Sequence, residues 1–194
     1  MSDSLERFQS ELLRFVRSVY VGDERRVVYG EGAAGAPLML IGEAPGEQEA
    51  LQGRPFAGRA GKNLDAFLEL AGLSREALYV TNAVKFRPTR LSAAGRVTNR
   101  PPTREEVALM RPWLLREIGL VRPRCIATLG NVPLQAVTGA RLTVGEAHGT
   151  RVSAPDAPCP VFALYHPASL LYRRSLTSVY ERDVAALAAF LRSL

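Results

Sequence analysis

The chain is poor in thiols: among 194 residues only Cys125 and Cys159 are cysteine, and they stand in no CxxC arrangement. A zinc or cluster site built on thiolates cannot be assembled from this chain alone, and both read as buried free thiols. Lysine is scarce too. Of 25 basic residues only Lys62 and Lys85 are lysine, and the arginines that dominate offer planar, bidentate donors to phosphate. Long apolar runs are missing: no stretch approaches a membrane span and the N-terminus has no signal-peptide core, so a soluble cytoplasmic protein is expected. Internal repeats and low-complexity tails are absent. What is there is an apolar fraction of 47%, enough for one substantial core, and a single domain over residues 1–194 is expected. A formal charge of +6 and a pI near 9.8 fit a phosphate-rich partner, although net charge by itself specifies partners poorly.

Hydrophobic periodicity predicts alternating helices and strands. Leu5, Phe8, Leu12, Leu13, Phe15, Val16 and Val19 recur at helical spacing behind the cap Ser4. Residues 27–29 read as an extended piece and 37–41 as a first strand. Leu64, Phe67, Leu68 and Ala71 form the apolar face of a helix ended by Gly72. Residues 78–84 make a second strand with a polar tip, 124–129 a third and 160–164 a fourth. Between the second and third, residues 85–102 lose periodicity and gain Pro88, Gly95, Pro101 and Pro102 with Arg87, Arg90, Arg96 and Arg100, the pattern of an exposed basic loop. Thr103 and Glu106 make a capping box for a helix in which Pro112 is expected to form a kink. Gly130-Asn131 opens a short helix, residues 143–159 read as a hairpin or irregular excursion, and Val179, Val184, Leu187, Phe190 and Leu191 mark a last helix. The alternation predicts an α/β fold: three layers, α/β/α, around a central, mostly parallel four-stranded sheet, with ligands outside the carboxyl ends of the strands.

The densest chemistry follows the first strand, in Gly42-Glu43-Ala44-Pro45-Gly46-Glu47-Gln48-Glu49 and on through Gly53-Arg54-Pro55-Phe56-Ala57-Gly58-Arg59-Ala60-Gly61-Lys62. Glycines let backbone N–H groups approach a ligand, carboxylates handle a proton or water, an aromatic stacks on a flat ring, and Arg59 and Lys62 meet phosphate. The remaining candidates also sit past strand ends: Asn82 after the second, Gly130 and Asn131 after the third, His166 after the fourth. Each has an ordinary reading as well. Phe56 suits a core, Asn82 a turn or cap, His166 a structural role, and clustered carboxylates a solvated loop.

Three separated motifs, in order, resemble those of the uracil-DNA glycosylase superfamily: Gly42–Glu47 with Gly53-Arg54-Pro55-Phe56, then Thr81-Asn82-Ala83-Val84-Lys85, then His166-Pro167-Ala168 with Leu170-Leu171. The chain is most similar to family 4, the thermostable iron–sulfur type, over nearly its whole length. The resemblance implies a monofunctional, monomeric enzyme that flips uracil out of single- or double-stranded DNA and hydrolyses its N-glycosidic bond, leaving an abasic site for base excision repair. It implies a uracil pocket of Glu43, Ala44, Gly46, Phe56, Asn82 and His166, with Phe56 stacking, Asn82 reading the Watson–Crick edge and His166 supporting charge on O2. Glu49 would position water and offset the sugar's charge, with Glu43 and Glu47 as competitors. DNA contacts would come from Arg59, Lys62, Gly130, Asn131, Ser169, Leu170, Arg173 and Arg174, Leu170 filling the vacated stack. Gly46 stands where other members place a bulky group against the thymine methyl, so that discrimination comes from elsewhere or is weaker.

The chain departs from family 4 where that family holds its cluster. At the four cysteine positions it has Phe15, Ser18, Phe86 and Met110, so no cluster, metal or other cofactor is expected. The 85–102 stretch is longer than the family 4 pattern and is similar to that of a cross-linking relative. A histidine of that relative bonds the abasic sugar; Asn99 stands near its place, and no covalent capture is expected. Two other readings remain at this point: an idle binder of uracil-containing or abasic DNA, and a small-molecule nucleotide-binding protein.

Overall fold

The computed structural model describes residues 4–22, 25–70 and 72–194; Ala71 and the side chains of Phe67, Leu70, Leu171 and Arg174 lie outside the described residues. Helix α1 (Leu5–Val19) begins at Ser4, whose hydroxyl accepts the Arg7 N–H at 3.2 Å, and buries Phe8, Leu12 and Val16 at successive turns. Then follow β1 (Leu38–Gly42), α2 (Glu47–Gln52), α3 (Arg59–Leu70), β2 (Tyr79–Asn82), β3 (Thr89–Leu91), β4 (Val97–Asn99) and α4 (Arg104–Val121). The second half holds β5 (Cys125–Leu129), α5 (Asn131–Thr138), α6 (Val144–Ala147), β6 (Arg151–Val152), β7 (Val161–Leu164), α7 (Ser169–Tyr172) and α8 (Thr177–Ser193).

Among the described residues the main sheet has the order β2-β1-β5-β7-β6, with β2, β1, β5 and β7 parallel and β6 antiparallel. The expected four strands are thus corrected to five. The excursion over 143–159 returns along β7, with Arg151 opposite Phe162 and Val152 opposite Val161, and so pairs an edge that would otherwise present bare N–H and C=O groups. At the other edge Glu31 exchanges two backbone hydrogen bonds with Val80, of 2.9 and 2.8 Å.

Period-two alternation divides the core into layers. Leu38 and Leu40 of β1 join Leu64 and Leu68 of α3 with Tyr180, Val184 and Leu187 of α8. Met39 and Ile41 face the other way, onto Leu114, Ile118 and Val121 of α4 and Ala136 and Val137 of α5. Helix α1 packs outside α4, where Phe8, Leu12, Val16, Val27, Val84, Phe86 and Met110 form a further apolar cluster.

The stretch 85–102 differs from the exposed loop expected of it. Lys85 is fully buried, with its ammonium on Glu117 and on the Thr81 hydroxyl at 2.7 Å, and the Tyr79 hydroxyl donates to Glu117 at 3.0 Å. A polar residue at a strand tip draws the wrong inference when its partner lies on a distant helix. Beyond Pro88, β3 and β4 form a separate hairpin with Thr89 opposite Asn99 and Leu91 opposite Val97. Strands of three residues are too short to leave a periodic signal. Arg100 grips Glu106 through two bonds of 2.6 and 2.8 Å and braces the hairpin against α4. Helix α4 continues through Pro112 as one element.

Candidate active site

Strands β1 and β2 end side by side, Gly42 opposite Asn82 in the parallel register. A side chain at Gly42 would not fit. Its Cβ would lie 2.4 Å from Asn82 Oδ1 and 2.6 Å from Phe56 Cζ, so this glycine lets an amide and an aromatic ring meet at one point. They line a cavity of about 370 Å³ at the carboxyl ends of the parallel strands, with Gly46, Glu49, Asn99 and His166 among its other walls.

Phe56 adopts a left-handed backbone conformation, φ 54°, which costs a bulky residue about 1–3 kcal/mol and persists only where neighbours impose it. Two neighbours do so. Arg75 donates to the Pro55 carbonyl at 2.7 Å while paired with Asp65 at 2.9 Å, and Gly61 leaves room for the Phe56 carbonyl, which a Cβ there would meet at 1.7 Å. The Phe56 and His166 rings lie 6.0 Å apart, inclined by 23°. Two stacking contacts of about 3.5 Å each would need about 7 Å, so no third ring fits between them.

His166 has a defined tautomer. Its Nδ1 accepts the backbone N–H of Ala168 at 3.1 Å, which leaves the proton on Nε2. Burial pulls the imidazole down to about 4, so the ring is neutral near pH 7 and offers a single N–H donor. Gly130 packs behind it: a Cβ there would sit 3.4 Å from His166 Cβ.

Glu49 is the third residue of α2, a position from which its side chain reaches back to the helix start. One oxygen accepts the Gly46 N–H and the other the Gly58 N–H, each at 3.1 Å, so the carboxylate closes the loop on itself and keeps a lone pair on each oxygen for a further donor. Asn82 is 5% exposed, and among the described residues its amide has no protein partner. Asn99, at the end of β4, accepts Arg87 Nε–H at 2.6 Å through its Oδ1, and Arg87 also pairs with Glu47 at 3.2 Å. Because arginine only donates, the amide nitrogen of Asn99 is left for other partners.

The other expected site residues are placed as follows. Ala44 and Arg59 line the cavity; Glu43 does not, and burial raises its carboxyl above the usual range. Lys62 lies exposed one turn along α3 from Arg59. The Asn131 side chain accepts the Val144 N–H at 2.7 Å, fastening α5 to α6, and Ser169 donates its N–H to the His166 carbonyl at 2.8 Å. Leu170 is 8% exposed and belongs to the α3/α8 side of the core, whereas Tyr172 in the same turn is 87% exposed and Arg173 is exposed beside it. Arg75, which holds the Pro55 carbonyl, and Tyr172, exposed beside Leu170, were not singled out in the sequence, and neither left a readable signal there.

The four positions aligned with the family's cluster ligands do not fit an iron–sulfur group. Phe86 and Met110 are fully buried in the α1/α4 cluster, Phe15 packs on Trp113 with ring centroids 5.1 Å apart, and the Ser18 hydroxyl donates to the Phe15 carbonyl at 2.8 Å. None supplies a thiolate. Cys125 sits inside the sheet and Cys159 beside α4 and α5, each with its thiol pushed up by burial, to about 12 and about 11.

The α/β/α sandwich thus brings an aromatic ring, an amide without a protein partner among the described residues, a neutral imidazole and a loop carboxylate to one strand-end cavity. The chain belongs to the uracil DNA glycosylase superfamily, whose family model matches residues 29–191. The type-4 uracil-DNA glycosylase of Archaeoglobus fulgidus is 38% identical over 162 residues, 80% of this chain and 77% of that protein; the enzyme of the same name from Sulfurisphaera tokodaii is 33% identical over 189 residues, 93% and 82% of the two chains. A solved structure of SMUG2 from Pedobacter heparinus shares the fold, with a TM-score of 0.52 at 13% identity, covering 96% of this chain and 85% of that one.

Proposed function

We propose that this DNA glycosylase removes uracil from DNA by hydrolysis alone, without an iron–sulfur cluster, and leaves an abasic site. The observation that carries the reading is the tautomer of His166: a neutral ring whose one proton is on Nε2 is a preorganised donor for the charge that appears on uracil O2 as the C1′–N1 bond breaks. The electron pair of that bond leaves with the base, and water adds to C1′ and yields its proton. Glu49, anchored at both oxygens, orients that water and offsets the positive charge on the sugar. Asn82 donates to O4 and accepts from N3–H, a pattern that cytosine does not match. The base stacks on Phe56 rather than between Phe56 and His166.

No amine faces the cavity among its described lining, so strand cleavage by an imine route has no nucleophile here. Among the described residues of that turn, Tyr172 is exposed and placed to fill the vacated base stack, whereas Leu170 would first have to leave the core. Uracil-containing DNA, single- or double-stranded, is the partner; the protein acts as one monomeric domain in the cytoplasm, and among the described residues no helix is long and apolar enough to cross a membrane. The test is incubation with a uracil-containing oligonucleotide in chelator followed by alkali. Cleavage at uracil only after alkali is expected; cleavage without alkali, or a chelator-sensitive reaction, would overturn the reading.

A further inference from the structure

One groove adjoins the active-site cavity along its Glu47 wall, and a second adjoins the first. The first, about 340 Å³, is walled by Arg25, Arg26, Glu47, Leu51, Arg87 and Thr89. The second, about 770 Å³, continues from Arg25 and Arg26 to Arg17, Tyr20 and Tyr29. Glu47 is common to the cavity and the first groove, and Arg25 and Arg26 are common to both grooves, so the three make one continuous track.

The track is cationic by construction. Among the described residues Arg17 and Arg26 have no carboxylate partner, and Arg25 and Arg100 both meet Glu106. Arg87 meets Glu47, the one acid in the described lining of the two grooves. The walls are also tied together: Arg26 Nη1 donates to the Leu51 carbonyl at 2.5 Å and holds the 25–27 segment against α2. Tyr29 adds a half-buried ring along the floor. An open arginine-lined groove with an aromatic face, leading out of a pocket for a flipped base, matches what an extended polynucleotide strand needs.

We propose that this track carries the DNA strand flanking the flipped nucleotide on one side, with phosphates on Arg17 and Arg26 and a base against Tyr29. The inference rests on the uracil-excision reading and adds a binding site that the strand-end loops do not contain. It predicts that affinity grows with substrate length on one side of the uracil only.

Two series of uracil-containing single strands, lengthened separately on the 5′ and on the 3′ side, test it. For the wild type, KM should fall with length on one side and then level off. In Arg17→Ala/Arg26→Ala that gain should vanish. Each lost phosphate contact flattens the salt slope by about 0.7 and weakens binding about five-fold at 0.1 M salt, so the pair should lose about 25-fold on long substrates. The shortest cleaved substrate should be processed as by wild type, kcat should be unchanged, and Arg17→Lys/Arg26→Lys should recover most of the gain. If wild type and variant keep the same KM ratio at every length on both sides, the track proposal fails while excision stands. If the variant instead loses only its affinity for a polyglutamate peptide, the groove takes an acidic polypeptide and the proposal also fails. Absence of excision by wild type at any length would strike the underlying reading instead.

Discussion

The two histidines differ in where their protons go. His148 directs Nδ1 at Asp183, 2.7 Å away, a carboxylate only 3% exposed, so that nitrogen is committed inside the protein. His166 faces a backbone N–H with Nδ1, and the donor on its other nitrogen remains uncommitted. The asparagines repeat the contrast: Asn131 spends its oxygen on Val144, whereas Asn82 has no protein partner among the described residues. The same side chains are structural where the fold satisfies them and available for chemistry where it does not. Polar groups that the protein leaves unpartnered at a cavity open to solvent are satisfied by water until a ligand takes the water's place.

The largest expected effect comes from exchanging the histidines' roles in turn. His166→Ala should slow single-turnover excision about 10²–10³-fold while leaving affinity for uracil-containing DNA within a few-fold, because phosphate contacts supply most of the binding. His148→Ala should leave excision unchanged and lower unfolding free energy by about 1–3 kcal/mol, since Asp183 loses its partner while buried. Loss of excision in the second variant, or normal rates at saturation in the first, would erase the contrast.

Asn82→Ala should cost about 3–4 kcal/mol of transition-state stabilisation, against an unchanged rate and a modest stability loss for Asn131→Ala. Excision within a few-fold of wild type would make Asn82 a structural cap.

A pH titration sharpens the comparison further. Because burial lowers His166 to about 4 from an ordinary value of 6.5, the neutral donor persists down to that region, and the part of the acid limb due to His166 should have its midpoint near 4. The sign for stability runs the same way: this residue's contribution is intact above pH 6.5 and is lost as pH falls from 6.5 toward 4, since the unfolded chain binds the proton first. A limb at 6.5 that disappears in His166→Ala would show a freely titrating ring. The smallest effect is expected at Asn99, whose amide nitrogen faces the cavity mouth: Asn99→Ala should change KM by a few-fold with kcat little altered.

The layers were legible in the sequence because the parallel strands are continuous apolar runs and the helices that cover them carry clear stripes, as in residues 37–41 and in Leu64 and Leu68. So were three strand-end segments that line the cavity, after β1, β2 and β7, whereas Asn131 after β5 is taken up by Val144. What escaped depends on tertiary partners. The fifth strand is two residues long, Lys85 is buried only because Glu117 arrives from α4, and Leu170, read as the wedge, is placed inside by packing while Tyr172 two residues on is left outside. Arg100 read as part of an exposed basic loop for the same reason. No local pattern announces that Glu106 will hold it.

The β3–β4 hairpin pairs with no other strand, yet it delivers Asn99 to the cavity wall and is held to the body through the Arg100–Glu106 and Arg87–Glu47 pairs. Its length is therefore decoupled from the register of the main sheet. Residues inserted or removed at its turn, Ser92–Gly95, reshape the rim of the pocket without shifting one pair in the β2-β1-β5-β7 ladder. The molecule thus keeps an adjustable entrance on an invariant frame, and substrate range can drift by changes to about a dozen residues while the hydrolytic centre stays as it is.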